Sequence, residues 1–141
     1  MSRACIFCRI VSDDAPRSAV FEDDEVLAFM DILPVNPGHL LIVPKQHVVY
    51  LDDLPESTGA RVMRVAMRLA RAIRDGELAP DGINLFLADG EAAGQEVFHS
   101  HLHVIPRFRR DGFHLRVDYK PSPDRTLLDQ HAEIIRAALS G

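Results

Sequence analysis

Three of the seven histidines in this chain of 141 residues alternate with other residues in one short segment, His99-Ser100-His101-Leu102-His103. A β-strand repeats its side-chain direction every two residues, so the three imidazoles are predicted to line one face of a strand. Imidazole is the side chain best suited to proton transfer, nucleophilic attack or metal binding near neutral pH. The spacing therefore predicts a reactive centre, and alternation alone leaves open whether that centre binds a metal or is catalytic.

The two cysteines of the chain, Cys5 and Cys8, allow three interpretations: an inert pair, a redox pair, or half of a zinc site. A redox pair of the thioredoxin kind follows a strand and opens a helix, and no strand pattern precedes Cys5. A zinc site needs two further ligands, which are usually histidines. The sequence has candidates for both.

Apolar segments predict the strands that must position these residues. Residues 19–22 and 26–30 predict a hairpin around the turn at 23–25. A buried strand is predicted at 39–44 and another at 83–87, before the histidine segment.

A long helix is predicted over residues 54–75. Asp53 is placed to cap it, Pro55 fits its first turn, and Glu56 is placed to close a capping box. Gly76 is placed to end it. The residues predicted to face the core are Val62, Val65, Ala66, Leu69 and Ile73, with Met63 and Met67 widening the apolar stripe.

A last helix is predicted over residues 122–139, with Ser122 as its cap and Pro123 at its first position. The order of strands, helix, strands and helix predicts an α+β fold with a mainly antiparallel sheet. The residues of the last helix that are predicted to face inward are Leu127, Leu128, His131, Ile134 and Ile135.

Bulk properties limit the classes of function. A length of 141 residues predicts a single domain, 1–141, and the net charge of −5 argues against a general nucleic-acid or membrane-surface binder. No apolar stretch approaches the roughly 20 residues that cross a bilayer. The start of the chain lacks the pattern of a signal peptide, so a cytoplasmic protein is expected.

The histidine segment, which two apolar residues follow, resembles the motif of the histidine-triad (HIT) family. Three further segments resemble that family in the same order: 29–32, 36–45 and 93–97. The resemblance covers about residues 5–108. It implies a HIT-like fold, in which a five-stranded antiparallel sheet carries a long helix and a C-terminal helix.

The same resemblance implies a nucleotidyl hydrolase or transferase that acts at the α-phosphate of nucleoside phosphoramidates or dinucleoside polyphosphates. His101 resembles the nucleophile, which forms a covalent nucleotidyl-histidine that water later releases. His103 resembles the residue that hydrogen-bonds phosphate oxygens, His39 the residue that orients the triad, and Gln95 the one that contacts the phosphate or leaving group. The alternative is a nucleotide-binding or scaffold protein with slow or no catalysis.

For the nucleoside, which is expected to be a purine nucleotide or nucleotide conjugate, the resemblance implies that Asp31 bonds the ribose hydroxyls. Phe7, Phe29 and Ile32 resemble the apolar walls around the base, and core packing is the alternative for each. Asn84 either replaces a phosphate-contacting asparagine of the family or is structural. No organic cofactor is expected.

The sequence does not determine the identity of the leaving group. Glu96 stands where many members of the family have serine or threonine, which removes a possible phosphate donor. Arg107, Arg109 and Arg110 follow the histidine segment. They either contact the extra phosphates of a dinucleoside polyphosphate or form a solvated surface.

Some bacterial members of the family combine an N-terminal Cys-x-x-Cys with two histidines in a structural zinc site. The resemblance implies that the ligands here are Cys5, Cys8, His47 and His99, although an exposed His47 without a metal is the alternative. It also implies a homodimer in which the helix 54–75 and a sheet edge meet their copies. Whether the C-terminal segment completes the partner's active site stays open.

Overall fold

A computed structural model describes residues 4–139, so both ends of the predicted domain lie outside the described residues. The elements, in chain order, are helix α1 (Ile6–Val11), strands β1 (Ala19–Glu22), β2 (Val26–Met30) and β3 (Leu40–Pro44), helix α2 (Glu56–Asp75), strands β4 (Gly82–Phe86) and β5 (Leu102–Arg107), and helix α3 (Arg125–Leu139). The strands form one sheet in the order β1-β2-β3-β5-β4, and all neighbouring pairs are antiparallel. The predicted α+β fold is confirmed. Among residues 4–139, no helix has both the length and the apolarity to span a membrane.

Pairing between β3 and β5 brings distant parts of the chain together. Leu41 lies opposite His103, and Leu40 opposite Val104. The loop before β3, which contains His39, therefore reaches the triad although more than 60 residues separate them in the sequence. The predicted hairpin of β1 and β2 is also confirmed.

Strands β2 and β3 are buried along almost their whole length because the sheet is covered on both faces. One set of alternate residues packs with α2 on one face. The other set packs with α1 and includes Leu27, Phe29, Leu41 and Val43, in contact with Phe7 and Ile10.

Helix α2 buries Val62, Val65, Ala66 and Ile73 of the predicted stripe, and Leu69 packs against the core while partly buried. The prediction that Met63 and Met67 widen this stripe is wrong, because their exposed fractions are 47% and 66%. Each methionine directly follows a buried residue. One residue rotates the side chain by about 100° around a helix, away from the core.

The predicted start of α2 is also wrong in its cap. Asp53 belongs to a short 3₁₀ turn, Leu51–Asp53, and α2 begins at Glu56 after an extended Pro55. No side chain caps the helix, so the capping box between Asp53 and Glu56 is absent. Gly76 does end the helix, as predicted.

Helix α3 differs from its prediction in its start and its packing. It begins at Arg125, and the carboxylate of Asp124, not Ser122, accepts the hydrogen bond from the Leu127 amide, over 2.9 Å. The inward packing predicted from the apolar residues is wrong, because no residue of α3 is buried. The exposed apolar residues are Leu127, Leu128, Ile134, Ile135 and Leu139.

Candidate active site and metal centre

A cavity of about 910 Å³ opens beside α1, the end of β2 and the histidine segment. Its volume lies in the range of small-molecule sites and suits a ligand the size of a nucleotide. Seven of the residues predicted from the sequence to act in the site line this cavity: Phe7, Phe29, Asp31, Ile32, His39, His101 and His103.

The histidine segment serves two sites instead of one. Strand β5 begins only at Leu102, and the alternation places Leu102 in the core under α2 while His101 and His103 line the cavity. His99 is fully buried and does not line the cavity. It lies among Cys5, Cys8 and His47, in a second cluster described below.

The hydrogen bond of His101 determines which ring nitrogen is free to react. Its Nδ1 lies 2.8 Å from the main-chain oxygen of His99. A carbonyl oxygen only accepts, so Nδ1 carries the hydrogen and donates it. The lone pair of neutral His101 is therefore on Nε2, which makes this nitrogen a candidate nucleophile.

A chain of hydrogen bonds determines the tautomers of the other two imidazoles. The Val35 amide donates to Nδ1 of His39 over 3.0 Å, so the ring hydrogen of neutral His39 is on Nε2. That Nε2 lies 2.9 Å from Nδ1 of His103 and donates to it. His103 then carries its own hydrogen on Nε2, where it is available as a donor to a ligand in the cavity.

Burial keeps both of these rings neutral near pH 7. The pKa of His103 is lowered to about 4, mainly by burial and also by the neighbouring His101 and His39, while Asp31 opposes the shift. Burial likewise lowers the pKa of His39, and the charge of Asp31 opposes this shift. A neutral ring is required for the hydrogen-bond chain, because each Nδ1 acts as an acceptor.

Asp31 joins this chain at the edge of the cavity. Its Oδ1 accepts from the Leu33 amide over 2.9 Å, and its Oδ2 lies 3.4 Å from Nε2 of His39. Asp31, His39 and His103 bring three potential metal ligands close together. The amide of Val35, however, places the hydrogen of His39 on the nitrogen that faces His103, so this cluster is a hydrogen-bonded relay in the neutral protein.

The apolar wall of the cavity centres on α1. The Phe7 ring lies edge-to-face against Phe29 and His101, with centroids 5.6 and 5.0 Å away. Ile32 lies at the rim and is 91% exposed. The sequence did not identify α1 as a helix, although its apolar residues at 6, 7 and 10 have helical spacing. The lining residues that were missed are Ile6, Ile10, Ala15, Pro16, Arg17, Ser18, Met30, Leu33, Leu41, Gly94 and Val97.

Two predicted nucleotide contacts are not available in this arrangement. The buried amide of Gln95 is held by main-chain groups: its Oε1 accepts from Gly90, and its Nε2 donates to Val49 and Val97. Gln95 therefore shapes the loop before the triad. Asn84 does not line the cavity, and its side-chain oxygen accepts from Arg107.

The charged residues that line the cavity give it a negative balance. They are Arg17, Asp31 and Glu96 among the described residues, besides the histidines. Arg17 is paired with Glu22 at 3.1 Å and Asp13 at 3.4 Å, which offsets its charge. Among the described lining residues, no unpaired cation therefore offsets the carboxylates of Asp31 and Glu96.

The loop that carries His39 is anchored to the end of β5. The Asn36 amide donates to the main-chain oxygen of Pro106 and to the carboxylate of Asp111, over 2.9 and 2.8 Å. Asp111 is paired with Arg107 at 2.7 Å, and this hydrogen bond is the main reason that its pKa is far below its usual value. Gly38 has a φ of +88°, and a Cβ there would lie 2.6 Å from Cδ1 of Leu78 and 3.1 Å from Cγ of Pro106.

The second cluster has the geometry of a tetrahedral metal site. Ligand atoms of Cys5, Cys8, His47 and His99 all lie within 4.8 Å of one another. Sγ of Cys8 lies 3.2 Å from Nδ1 of His47 and 3.6 Å from Nδ1 of His99, and the two Nδ1 atoms are 3.2 Å apart. Zinc bonds of about 2.1 Å to nitrogen and 2.3 Å to sulfur place tetrahedral ligands about 3.4 to 3.8 Å apart.

His99 is also prepared as a ligand. Its Nε2 donates to the main-chain oxygen of Pro44 over 2.8 Å, so neutral His99 presents the lone pair of Nδ1 to the cluster. Burial lowers its pKa, which favours that neutral form. Two thiols and two imidazoles in this arrangement fit Zn²⁺, and the ion would be closed off by four protein ligands.

A family model described as the HIT domain matches residues 12–110. The chain belongs to the HIT family. Among the curated relatives of this HIT protein, Protein hit from Bacillus subtilis is 43% identical over 123 residues, which cover 83% of this chain and 84% of that protein. An adenylylsulfatase from Arabidopsis thaliana is 38% identical over 107 residues, which cover 76% of this chain and 54% of that protein.

Solved structures align with nearly the whole chain. A crystal structure from Streptococcus mutans has a TM-score of 0.91 and 39% identity, covering 99% of this chain and 87% of that one. A zinc-bound histidine triad family protein from Mycobacterium smegmatis has a TM-score of 0.74 and 43% identity, covering 97% and 94%. The alignment with the Streptococcus structure includes α3, which lies beyond the matched HIT domain.

Proposed function

We propose that this protein is a nucleotide hydrolase that cleaves at the α-phosphate through a covalent nucleotidyl-histidine on His101. The observation that carries the proposal is the hydrogen bond from Nδ1 of His101 to His99, which leaves Nε2 with its lone pair beside the cavity. The related adenylylsulfatase supports chemistry at the phosphate of a nucleotide conjugate.

Each step of this mechanism has an assigned group. The lone pair of Nε2 of His101 attacks the α-phosphorus, and the leaving group departs with the electron pair of the bond that breaks and takes up a proton from solvent. His103 donates its Nε2 hydrogen to a phosphoryl oxygen and stabilises the charge there. Water then attacks phosphorus and gives up a proton to solvent, the electron pair of the bond to phosphorus returns to Nε2 of His101, and a nucleoside monophosphate is released. Asp31 faces the ribose, while Phe7, Phe29 and Ile32 enclose the base; Gln95 and Asn84 are left in structural roles.

The charges of the cavity support a leaving group without further phosphates, as in a nucleoside phosphoramidate. Arg107, which was a candidate to contact a polyphosphate, is paired with Asp111, and Arg109 lies beside Asp81. Neither lines the cavity. Glu96 opposes an anionic leaving group and attracts a cationic one.

Trapping of the intermediate tests this function. The protein is mixed with a nucleoside phosphoramidate, quenched in acid-free denaturant within milliseconds to seconds, and its intact mass is measured. A mass increase of one nucleotidyl group that is lost in His101→Ala supports the proposal. Tight nucleotide binding with no adduct and no turnover would instead identify a nucleotide-binding scaffold.

We also propose that Cys5, Cys8, His47 and His99 bind a structural zinc ion. The ion would cross-link the N-terminal segment to the triad and would take no part in the reaction. Thiolate ligands persist in a reducing compartment, which supports a cytoplasmic location. The zinc-bound relative from Mycobacterium smegmatis supports the choice of metal.

A homodimer is the assembly that we propose. The edge strand β4 has Leu85 and Phe86 exposed, and α2 exposes Met63 and Met67. An unpaired edge and an exposed apolar surface are both covered when two copies meet about a two-fold axis. Light scattering at low micromolar concentration should give about twice the chain mass of 15.7 kDa.

A further inference from the structure

The carboxylate of Asp111 lies outside the cavity, is only 5% exposed, and accepts five hydrogen bonds. Its Oδ2 accepts from the Asn36 amide over 2.8 Å, from Nε of Arg107 over 2.7 Å and from the Phe108 amide over 3.1 Å. Its Oδ1 accepts from Nη2 of Arg107 over 3.0 Å and from the Phe113 amide over 3.1 Å. A carboxylate with so little exposure is stable as an anion only when a cation and several donors compensate it. These contacts therefore hold Asp111 ionised and in one orientation.

One of these donors comes from a distant part of the chain. Arg107, Phe108 and Phe113 belong to the end of β5 and the residues that follow it, whereas Asn36 belongs to the loop before β3. The second hydrogen of the Asn36 amide is donated to the main-chain oxygen of Pro106 over 2.9 Å. Both hydrogens of this amide therefore join the loop to the end of β5.

Asn36 is the first residue of the turn that ends at His39. The His39 amide donates to the main-chain oxygen of Asn36 over 3.2 Å, Pro37 follows Asn36, and Gly38 has a φ of +88°. Proline second and a positive φ third are the features of a type II turn. The residue before the turn, Val35, donates its amide to Nδ1 of His39 over 3.0 Å. The position of Asn36 therefore determines both where His39 lies and which donor its ring meets.

Strand β5 carries the anchor of this turn and also the histidine that the turn must reach. His103 and Arg107 are four residues apart on β5, so their side chains leave the same face of the strand. Nε2 of His39 lies 2.9 Å from Nδ1 of His103, and Arg107 holds Asp111 from the same strand. The distance between the two imidazoles is thus set against a single strand.

We propose that Asp111 is a positioning residue of the triad. Through Asn36 it holds residues 35–39 so that His39 meets His103 with its ring hydrogen on Nε2. Asp111 does not line the cavity, so any effect on a ligand passes through Asn36. The expected effect on turnover rests on the proposed hydrolase, whereas the expected effect on the rings rests on these contacts alone.

Two variants interrupt this connection at different points. In Asp111→Asn an amide nitrogen replaces one oxygen, and both oxygens accept from Arg107, so two donors face each other in either orientation of the amide. Asn36→Ala leaves the pair of Asp111 and Arg107 intact and removes only the link to the loop. It keeps the proposal testable if Asp111→Asn does not fold. Asp81→Asn is the matched control, because Asp81 accepts from the Arg109 amide after β5 over 2.8 Å.

The first measurement is the ¹⁵N spectrum of the histidine rings in the full-length protein at pH 7. In the wild type and in Asp81→Asn, His39 and His103 should each show one ring nitrogen with a hydrogen and one without. In Asp111→Asn and Asn36→Ala the two ring nitrogens of His39 should move toward a common shift, because the ring exchanges between forms. A purely structural role in stability would leave the rings of the folded protein unchanged.

The second measurement is turnover of a nucleoside phosphoramidate. In Asp111→Asn and Asn36→Ala, kcat should fall about 10-fold, because misplacement of a group that contacts the phosphoryl oxygen lowers the rate of the chemical step. KM should change by less than about threefold, since Asp31 and the apolar wall are untouched. The double variant should be no slower than the slower single variant, because both changes interrupt one connection.

Three results would overturn the proposal. Ring shifts of Asp111→Asn and Asn36→Ala that match those of the wild type would remove Asp111 from the positioning of His39. Equal changes in Asp81→Asn would show that any carboxylate near the end of β5 has the same effect. Losses that multiply in the double variant would show that Asp111 and Asn36 act separately. If the wild type does not hydrolyse the phosphoramidate, the ring shifts still decide the inference, so its failure is distinguishable from that of the proposed hydrolase.

Discussion

His99 contacts the candidate nucleophile through its backbone and the candidate metal centre through its side chain. Its carbonyl oxygen accepts from Nδ1 of His101 over 2.8 Å, while its own Nδ1 faces Cys8 and His47. A metal ion on the His99 ring would therefore hold the carbonyl that selects the reactive tautomer of His101. His99 therefore links the candidate metal centre to the candidate nucleophile.

Cys8→Ser should remove the metal and with it the support that the metal gives to the carbonyl of His99. The variant is expected to lose the metal, unfold at a temperature several degrees lower, and turn over about 10-fold more slowly, because ligand support of this kind contributes 10- to 100-fold. Metal analysis of protein purified without added metal should give one zinc per wild-type chain. His114→Ala, which removes an exposed histidine, is the control and should keep it. Wild type without zinc would remove all four residues from the metal site.

His101→Ala should abolish turnover and preserve binding. The nucleophile makes the covalent bond, whereas Asp31 and the apolar wall hold the nucleoside, so kcat should fall at least about 10⁴-fold. The dissociation constant of the nucleoside monophosphate, measured by calorimetry, should change by less than about threefold, a small free energy. Turnover comparable to that of His114→Ala would refute the assignment.

The stability of the protein should depend on pH through His103. Its pKa is about 4 in the folded chain, against 6.5 for an ordinary histidine. Between these values the unfolded chain binds a proton that the folded one does not, so the free energy of unfolding falls as the pH is lowered through this window, by about 3 kcal/mol at most. Urea unfolding between pH 7 and 5 should show a shallower decline for His103→Gln. Parallel curves for the two proteins would contradict this.

Glu96→Gln should alter the choice of leaving group. Removing the carboxylate takes away repulsion of anionic leaving groups and attraction of cationic ones. The ratio of kcat/KM for a dinucleoside polyphosphate over a phosphoramidate with a cationic amine should rise about 10-fold, equivalent to about 1.4 kcal/mol. Glu91→Gln is a control in the same loop, since Glu91 is exposed and does not line the cavity. An equal ratio in both variants would exclude Glu96 from selectivity.

Gly38→Ala and Gly112→Ala together separate the cost of a positive φ from the cost of a close contact made by the new Cβ. Both glycines have a positive φ, +88° and +78°, which disfavours alanine by about 1–2 kcal/mol. A Cβ at Gly38 would lie 2.6 Å from Cδ1 of Leu78, whereas at Gly112 nothing lies within 4 Å. Leu78 is 42% exposed and can move, and Cγ of Pro106 would lie 3.1 Å from the new Cβ, so Gly38→Ala should lose about 1 kcal/mol more in urea unfolding. It should also slow turnover, because His39 is the next residue. Equal losses would show that Leu78 yields without cost.

Elements with a strong apolar pattern could be predicted from the sequence. The buried strands β2 and β3 and the inward stripe of α2 follow from runs and periodicity that tertiary packing reinforces. Asp53 shows where local signals fail. Asp53 ends a 3₁₀ turn, and the extended Leu54 and Pro55 separate it from α2; a capping pattern shows neither feature.

Helix α3 shows a different limit. Periodicity predicts correctly that it has an apolar side, but it does not say which surface covers that side. The prediction of inward packing assumed that the same chain provides it. For Gln95 the difficulty is one of hydrogen bonds: an amide that can reach a phosphate can equally be used by nearby main-chain groups, and three of these hold it here.

The hydrogen-bond chain from Val35 through His39 to His103 also determines which ring nitrogen of each histidine carries the hydrogen. The pKa values of both rings are lowered, so both are neutral near pH 7 and each ring hydrogen already has its place before a ligand enters. We therefore expect these rings to add little buffer dependence to the heat of nucleotide binding. The hydrogen-bond donors and acceptors of His39 and His103 are therefore set when the chain folds, before a ligand binds.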